Sequence, residues 1–200
     1  MAQAVKRPVA GEAQPMVETA TILERLTAAT RYIALLAAII ATCGSLFFSE
    51  VLFWIPCKLC WYQRILMYPL VPILLVGIVR DDRGIHWYGL PLSLAGIVVS
   101  LAHYLEVLGV IPPSPCVGSV PCSIDYLTPI LTGPLSFIKI PFLALVAFAI
   151  ISVMLGNYAI AGAPPTPPGR RRSAAITAIA IVVVTIVAFV LLGTLWQPQA

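Results

Sequence analysis

The chain is predicted to be all-α, a polytopic membrane protein with five transmembrane helices. Of its 200 residues, 60% are hydrophobic and only 10% charged, whereas soluble domains average about 25% charged residues. Mean hydropathy is +0.98. Crossing about 30 Å of hydrocarbon takes roughly 20 apolar residues, and five stretches provide them: about Tyr32–Phe53, Trp61–Val79, Trp87–Val107, Phe137–Tyr158 and Ala174–Trp196. Together they fill more than half the chain and leave no material for a water-soluble core.

The basic residues set the expected orientation. Lys6, Arg7, Arg25 and Arg31 precede the first span. Arg80 and Arg83 separate the second from the third, and Arg170, Arg171 and Arg172 separate the fourth from the fifth. These mark the cytoplasmic side, which leaves Lys58, Arg64 and Lys139 near the other face. The amino terminus is then inside, and the carboxyl terminus and the cysteine-bearing connections are outside, where disulfides persist. Cytoplasmic anchoring accounts for the net charge of +4, and no nucleic acid is implied. Residues 1–24 read as a flexible cytoplasmic tail. They lack the apolar core that directly follows the basic region of a secretory signal.

Span one carries a lone thiol, Cys43, of the kind that usually packs as a small hydrophobe. Span two opens on Cys57-Lys58-Leu59-Cys60, and Pro69 and Pro72 are expected to kink it. Span three holds His103 and Glu106 near its outer end. The connection from Gly109 to Ser136 contains Pro112, Pro113, Pro115, Pro121, Pro129 and Pro134, too many for a continuous helix. Ile124, Leu127, Ile130 and Leu131 fall at helical spacing there, so a short surface helix over 124–131 is expected. Span four starts near Lys139-Ile140-Pro141, with proline suited to a first helical turn. The Pro-rich, then basic stretch 160–173 reads as a cytoplasmic spacer, and span five offers no chemical group.

Five cysteines are present, four of them in two close pairs: Cys57 with Cys60, and Cys116 with Cys122. Closing loops of four to seven residues stabilises a fold by only about 2 kcal/mol, against about 3 for fifteen. Such pairs make weak staples and suit cycling between dithiol and disulfide. Backbone N–H groups at the start of span two would favour a thiolate. Arg64, four residues beyond Cys60, shares its helical face and would either hold a polar ligand head or snorkel to lipid phosphates. Gln63 would bond a ligand or simply face a neighbouring helix. Four cysteines could also bind zinc, but an oxidising exterior disfavours free thiols, and five residues separate Cys116 from Cys122. No metal is expected.

The run Pro56-Cys57-Lys58-Leu59-Cys60-Trp61-Tyr62-Gln63-Arg64-Ile65-Leu66-Met67-Tyr68-Pro69 resembles the signature of DsbB/BdbC-type disulfide bond formation proteins. Pro121-Cys122-Ser123 and Ile140-Pro141-Phe142-Leu143-Ala144-Leu145 resemble the BdbC branch. The resemblance implies a four-helix transmembrane bundle over 25–159, with span five (174–200) as an extra C-terminal transmembrane helix outside the family core. It implies a thiol:quinone oxidoreductase of the bacterial cell membrane. That enzyme reoxidises an extracytoplasmic thioredoxin-like (DsbA/BdbD-like) partner and passes electrons to ubiquinone or menaquinone.

Cys116 would then meet the partner, Cys122 would relay to Cys57, and Cys60 would be the thiolate beside the quinone, with Arg64 on a quinone carbonyl. Exchange through mixed disulfides requires these sulfurs to approach one another. A partner near about −120 mV needs an acceptor beyond protein thiols. Quinone reduction consumes protons, which His103 and Glu106 would help deliver, unless both simply touch interfacial water. A vitamin K epoxide reductase-like enzyme and a non-enzymatic cysteine-based metal carrier are the rival readings. In the former, the CxxC adjoining the quinone lies on the last bundle helix and not the second.

Overall fold

A computed structural model describes residues 13–112, 121–127, 133–162 and 168–196. Its elements are α1 (Ala13–Leu46), α2 (Lys58–Met67), α3 (Leu70–Arg80), α4 (Ile85–Val107), α5 (Ile140–Ala161) and α6 (Pro168–Trp196). No strand occurs among the described residues. Five helices are long and apolar enough to cross a membrane: Ala29–Val51, Lys58–Arg80, Ile85–Val107, Ile140–Ala161 and Arg171–Trp196. The chain is thus all-helical with the five spans its hydropathy predicts.

Several boundaries differ from expectation. Helix α1 reaches back to Ala13, into the stretch expected to be a flexible tail. Ala, Gln, Met, Glu and Leu are good helix formers, and Pro15 sits in the first turn, where its missing N–H is harmless. At its far end α1 widens into a π-helical turn, Phe47–Val51. Span two is two helices, because Pro69 cannot continue α2, and α3 begins directly after it. Helix α6 takes in Arg170, Arg171 and Arg172, which were expected in the spacer, since Pro168 occupies its first position. Residues 121–127 form turns where the expected surface helix would begin, and residues 128–131 of that expectation lie outside the described residues. Pro121 and the Asx turn in which Leu127 N–H donates to Asp125 Oδ1 at 3.1 Å hold that shape.

The buried core lies between α1, α3, α4 and α5, with Leu35, Leu70, Leu74, Phe148, Ile151 and Leu155 at its centre. The most extensive pairing is α4 on α5. Ser152 Oγ donates to Ser93 Oγ at 2.9 Å across it. Two glycines on α4 let the backbones approach, Gly89 against Leu155 and Gly96 against Phe148. Lipid tails give no hydrophobic drive to helix association, so close van der Waals fit has to supply it.

One end of the bundle is charged. Arg31 Nη1 pairs with Asp81 Oδ1 at 3.1 Å, both side chains nearly buried, and the Arg31 guanidinium lies 5.1 Å from the Tyr158 ring centroid. Asp81 is the left-handed C-cap of α3. Arg171 approaches its other oxygen at 3.8 Å. This cluster ties α1, the α3–α4 turn and α6 together, and it leaves the opposite end to the cysteines.

A Cβ added at Gly96 would stand 2.2–2.5 Å from Phe148 ring atoms. Gly96→Ala is expected to lower stability by about 1–3 kcal/mol, read as a lower thermal midpoint in detergent. Phe148→Leu in the same chain should restore part of the loss.

Candidate redox site

Cys57 is the N-cap of α2. The residue before it is Pro56, and its extended backbone turns the chain into the helix so that Cys60 N–H donates to Cys57 Sγ at 3.4 Å. The two sulfurs are 3.1 Å apart. Cys57 is buried, and its thiol is pushed up to about 12, first because it donates its hydrogen to Cys60 and then because of burial. Cys57 therefore keeps the proton of the reduced pair, and Cys60 receives the hydrogen bond.

The imidazole of His103, 2% exposed on α4, completes the cluster. Its Nε2 lies 3.1 Å from the carbonyl oxygen of Cys122 and 3.6 Å from Cys57 Sγ. Its Nδ1 lies 3.1 Å from Gln63 Nε2. A carbonyl can only accept, so Nε2 carries the hydrogen, Nδ1 is the acceptor, and the Gln63 amide donates to it. Glu106, one turn along α4, is also buried. The interfacial alternative for this His/Glu pair is not what the fold shows.

These groups open onto a cavity of about 500 Å³, lined by Cys57, Cys60, Cys122, Gln63, Arg64 and His103 on its polar side and elsewhere mainly by apolar and aromatic residues of α1, the segment before α2, α5 and α6. Arg64 Nη2 donates to the Ser45 carbonyl at 3.0 Å, and the guanidinium lies 5.2 Å from the Trp61 ring centroid. Arg64 Nε is buried with no hydrogen-bond partner. An unspent cationic donor in an apolar cavity beside two thiols fits a neutral, flat acceptor with a carbonyl oxygen, the donor set a quinone head requires. A metal is a different matter. Among the described residues, Cys57, Cys60 and His103 are the group whose ligand atoms lie within 4.8 Å of one another. The cluster therefore pairs its two thiols with an imidazole.

The sequence-expected residues Cys57, Cys60, Cys122, Gln63, Arg64 and His103 meet in one place, while Cys116 lies outside the described residues. Sequence reasoning missed the aromatic wall. Trp54 stacks on Phe48 at 5.3 Å and on Tyr126 at 5.2 Å, and Tyr126 Oη donates to the Ile55 carbonyl at 3.3 Å. Burial, then the nearby Cys60 and Cys57, push the Tyr126 phenol up, so it stays a neutral donor. Aromatic residues crowded just before the CxxC were the available signal.

Residues 27–151 match the family model described as Disulfide bond formation protein DsbB. The Disulfide bond formation protein C of Bacillus subtilis is 47% identical over 126 residues, covering 62% of this chain and 88% of that protein. A Probable disulfide formation protein of Oceanobacillus iheyensis is 46% identical over 125 residues, 58% of this chain and 79% of that one. Another, from Coxiella burnetii, is 39% identical over 126 residues, 62% and 83% of the two chains. No solved structure gives a significant match.

In the reduced protein, alkylation at pH 8 followed by peptide mass spectrometry should label Cys60 well before Cys57. Cys57 stays protonated until the pH approaches about 12. Cys60→Ser removes the sulfur that accepts the hydrogen bond of this proton, so Cys57 should fall toward the ordinary thiol range and gain reactivity at lower pH. Equal labelling of both thiols in the unaltered protein would contradict the assignment.

Proposed function

This chain belongs to the DsbB family of disulfide bond formation proteins, and from that premise we propose that it is a membrane thiol:quinone oxidoreductase. Its substrate is the dithiol of an extracytoplasmic thioredoxin-like partner. The observation that carries the reading is the convergence of Cys57, Cys60, Cys122, His103 and the unspent Arg64 donor on one apolar cavity. Disulfide-forming oxidoreductase activity in a multi-pass membrane protein follows from the family itself. The acceptor, the partner and the order of events are the proposal.

The partner's thiolate attacks Cys116 of a Cys116–Cys122 disulfide and releases the Cys122 thiolate. That sulfur attacks Cys57, breaking a Cys57–Cys60 bond and releasing Cys60 as the thiolate beside Arg64. Each step exchanges one S–S bond for another through a mixed disulfide. Closure of the partner's own disulfide releases Cys116, whose attack on Cys122 restores the Cys116–Cys122 bond, frees Cys57 and leaves two electrons and two protons on the Cys57/Cys60 dithiol. A ubiquinone or menaquinone, when bound, supplies the acceptor for that pair. Arg64, which lines the cavity, would hold the acceptor's oxygen. Gln63 fixes the imidazole tautomer, and His103 holds the Cys122 backbone close to Cys57 Sγ.

The basic residues at the Arg31–Asp81–Arg171 end favour a cytoplasmic location for it. That puts the cysteines and the carboxyl terminus on the extracytoplasmic face of the bacterial membrane, where a secreted partner is reachable.

Cys60→Ser should abolish quinone reduction by a reduced thioredoxin-like dithiol, followed by quinone absorbance under anaerobic conditions, while the protein still inserts. A normal rate in that variant would refute the role given to Cys60. Arg64→Ala should raise the apparent KM for quinone by about tenfold or more, the loss of one charge-assisted hydrogen bond. The KM for the partner should stay within about twofold.

A further inference from the structure

We propose that α6 is part of the quinone cavity, with Phe189 closing one of its walls and setting how tightly the quinone is held. The inference rests on the quinone reading above and extends it to a helix outside the segment that matches the family, residues 27–151.

Helix α6 faces lipid over most of its surface, yet one stripe does not. Ala178 and Thr185 are buried, Val182 packs on the core, and Phe189 and Gly193 continue the same face at spacings of three and four residues. The stripe leads from the charged end of the bundle to the cysteine end. At the first, Arg171 approaches Asp81 at 3.8 Å. At the second, the α6 backbone seats against the π-helical turn of α1. A Cβ at Gly193 would come 3.3 Å from Val51 Cγ2, so the helix backbone there is seated closely against the Val51 side chain.

Phe189 sits one turn before that contact. Its ring meets Phe47 edge to face, with centroids 6.4 Å apart and planes at 72°, and both rings line the cavity. The π-helical turn makes this possible, because it lets the consecutive residues Phe47 and Phe48 both serve the cavity. Phe47 takes its support from α6, and Phe48 takes its support from Trp54. Aromatic faces and edges suit a planar conjugated ring. With Phe189 cut back, Phe47 loses its support and the wall opens to acyl chains that compete for the space. Phe189 is thus a residue that determines affinity for the acceptor while taking no part in sulfur exchange.

The test uses the full chain in lipid nanodiscs, with a decyl-chain benzoquinone as the probe. Binding is read from quenching of tryptophan fluorescence, and turnover from quinone absorbance. Phe189→Ala should weaken binding and raise the apparent KM for quinone by roughly three- to tenfold, with kcat and the KM for the dithiol partner within about twofold. Phe189→Leu should fall between the two, and it decides the matter if the alanine variant does not insert. Val184→Ala, on the lipid-facing side of α6 at 66% exposure, should match the unaltered protein. Unchanged quinone affinity in the Phe189 variants overturns the proposal. Failure of the unaltered protein to bind the probe would instead overturn the quinone reading on which it depends.

Discussion

The imidazole of His103 is where three separate parts of the chain meet. It sits on α4, takes a hydrogen bond from Gln63 on α2, gives one to the backbone of Cys122 in the outer connection, and lies 3.6 Å from the sulfur of Cys57. In a medium that offers no water, each of these polar groups costs free energy if left unpaired. Satisfying them through one ring couples their positions. The thiol that caps α2 stands near the segment carrying Cys122 because both answer to the same side chain. The neutral ring with hydrogen on Nε2 is the one form that serves the carbonyl and the Gln63 amide together.

The rest of the bundle divides its work between its ends. At one end the buried Arg31–Asp81 pair, with Tyr158 beneath and Arg171 beside it, links α1, the α3–α4 turn and α6. A buried ion pair is weak evidence of added stability, but removing one partner strands the other charge. It therefore fixes which helices are neighbours. At the cysteine end Arg64 spends one nitrogen on the Ser45 carbonyl and leaves Nε unpaired. Holding the guanidinium by one bond while another donor stays unspent is a pre-organised arrangement. The close seating of Gly89 and Gly96 on α5 keeps the apolar walls from shifting between the two ends.

Much of this was legible in the chain itself. The spans follow from hydropathy, the break in span two from Pro69, and the shared face of Cys60 and Arg64 from helical spacing, all of which are local properties. What sequence could not supply was contact between distant segments. His103 read equally well as an interfacial residue, since nothing near it in the chain names Gln63 or Cys122 as its partners. Gly89 and Gly96 lie seven apart and form no familiar packing motif; only the facing Leu155 and Phe148 give them meaning. The π-helical turn has no compositional signal, and Phe189 looked like one more apolar residue in a featureless span. The start of α1 was misplaced for a different reason. A polar, proline-containing stretch reads as tail, although Met16, Glu18, Ala20, Leu23 and Glu24 after Pro15 are good helix formers.

On the proposed function, sulfur exchange and acceptor binding place opposite demands on one site. A relay through four cysteines needs the outer connection to move, because an attacking sulfur must line up with each bond in turn. Residues 121–127 have no helical ladder. They are held by the His103 bond to Cys122, the Tyr126 bond to Ile55, the stack on Trp54 and the Asp125–Lys139 pair. A segment secured by a few side-chain contacts opens at far lower cost than a packed helix. For the proposed acceptor, the cavity would instead have to keep its shape to hold a flat ring against Cys60, and its remaining walls come from the helices α1, α2, α5 and α6. The same aromatic stack belongs to both parts. In the proposed relay Tyr126 would move with the loop while Trp54 and Phe48 stay with the wall, so exposing Cys57 need not dismantle the acceptor's side of the site.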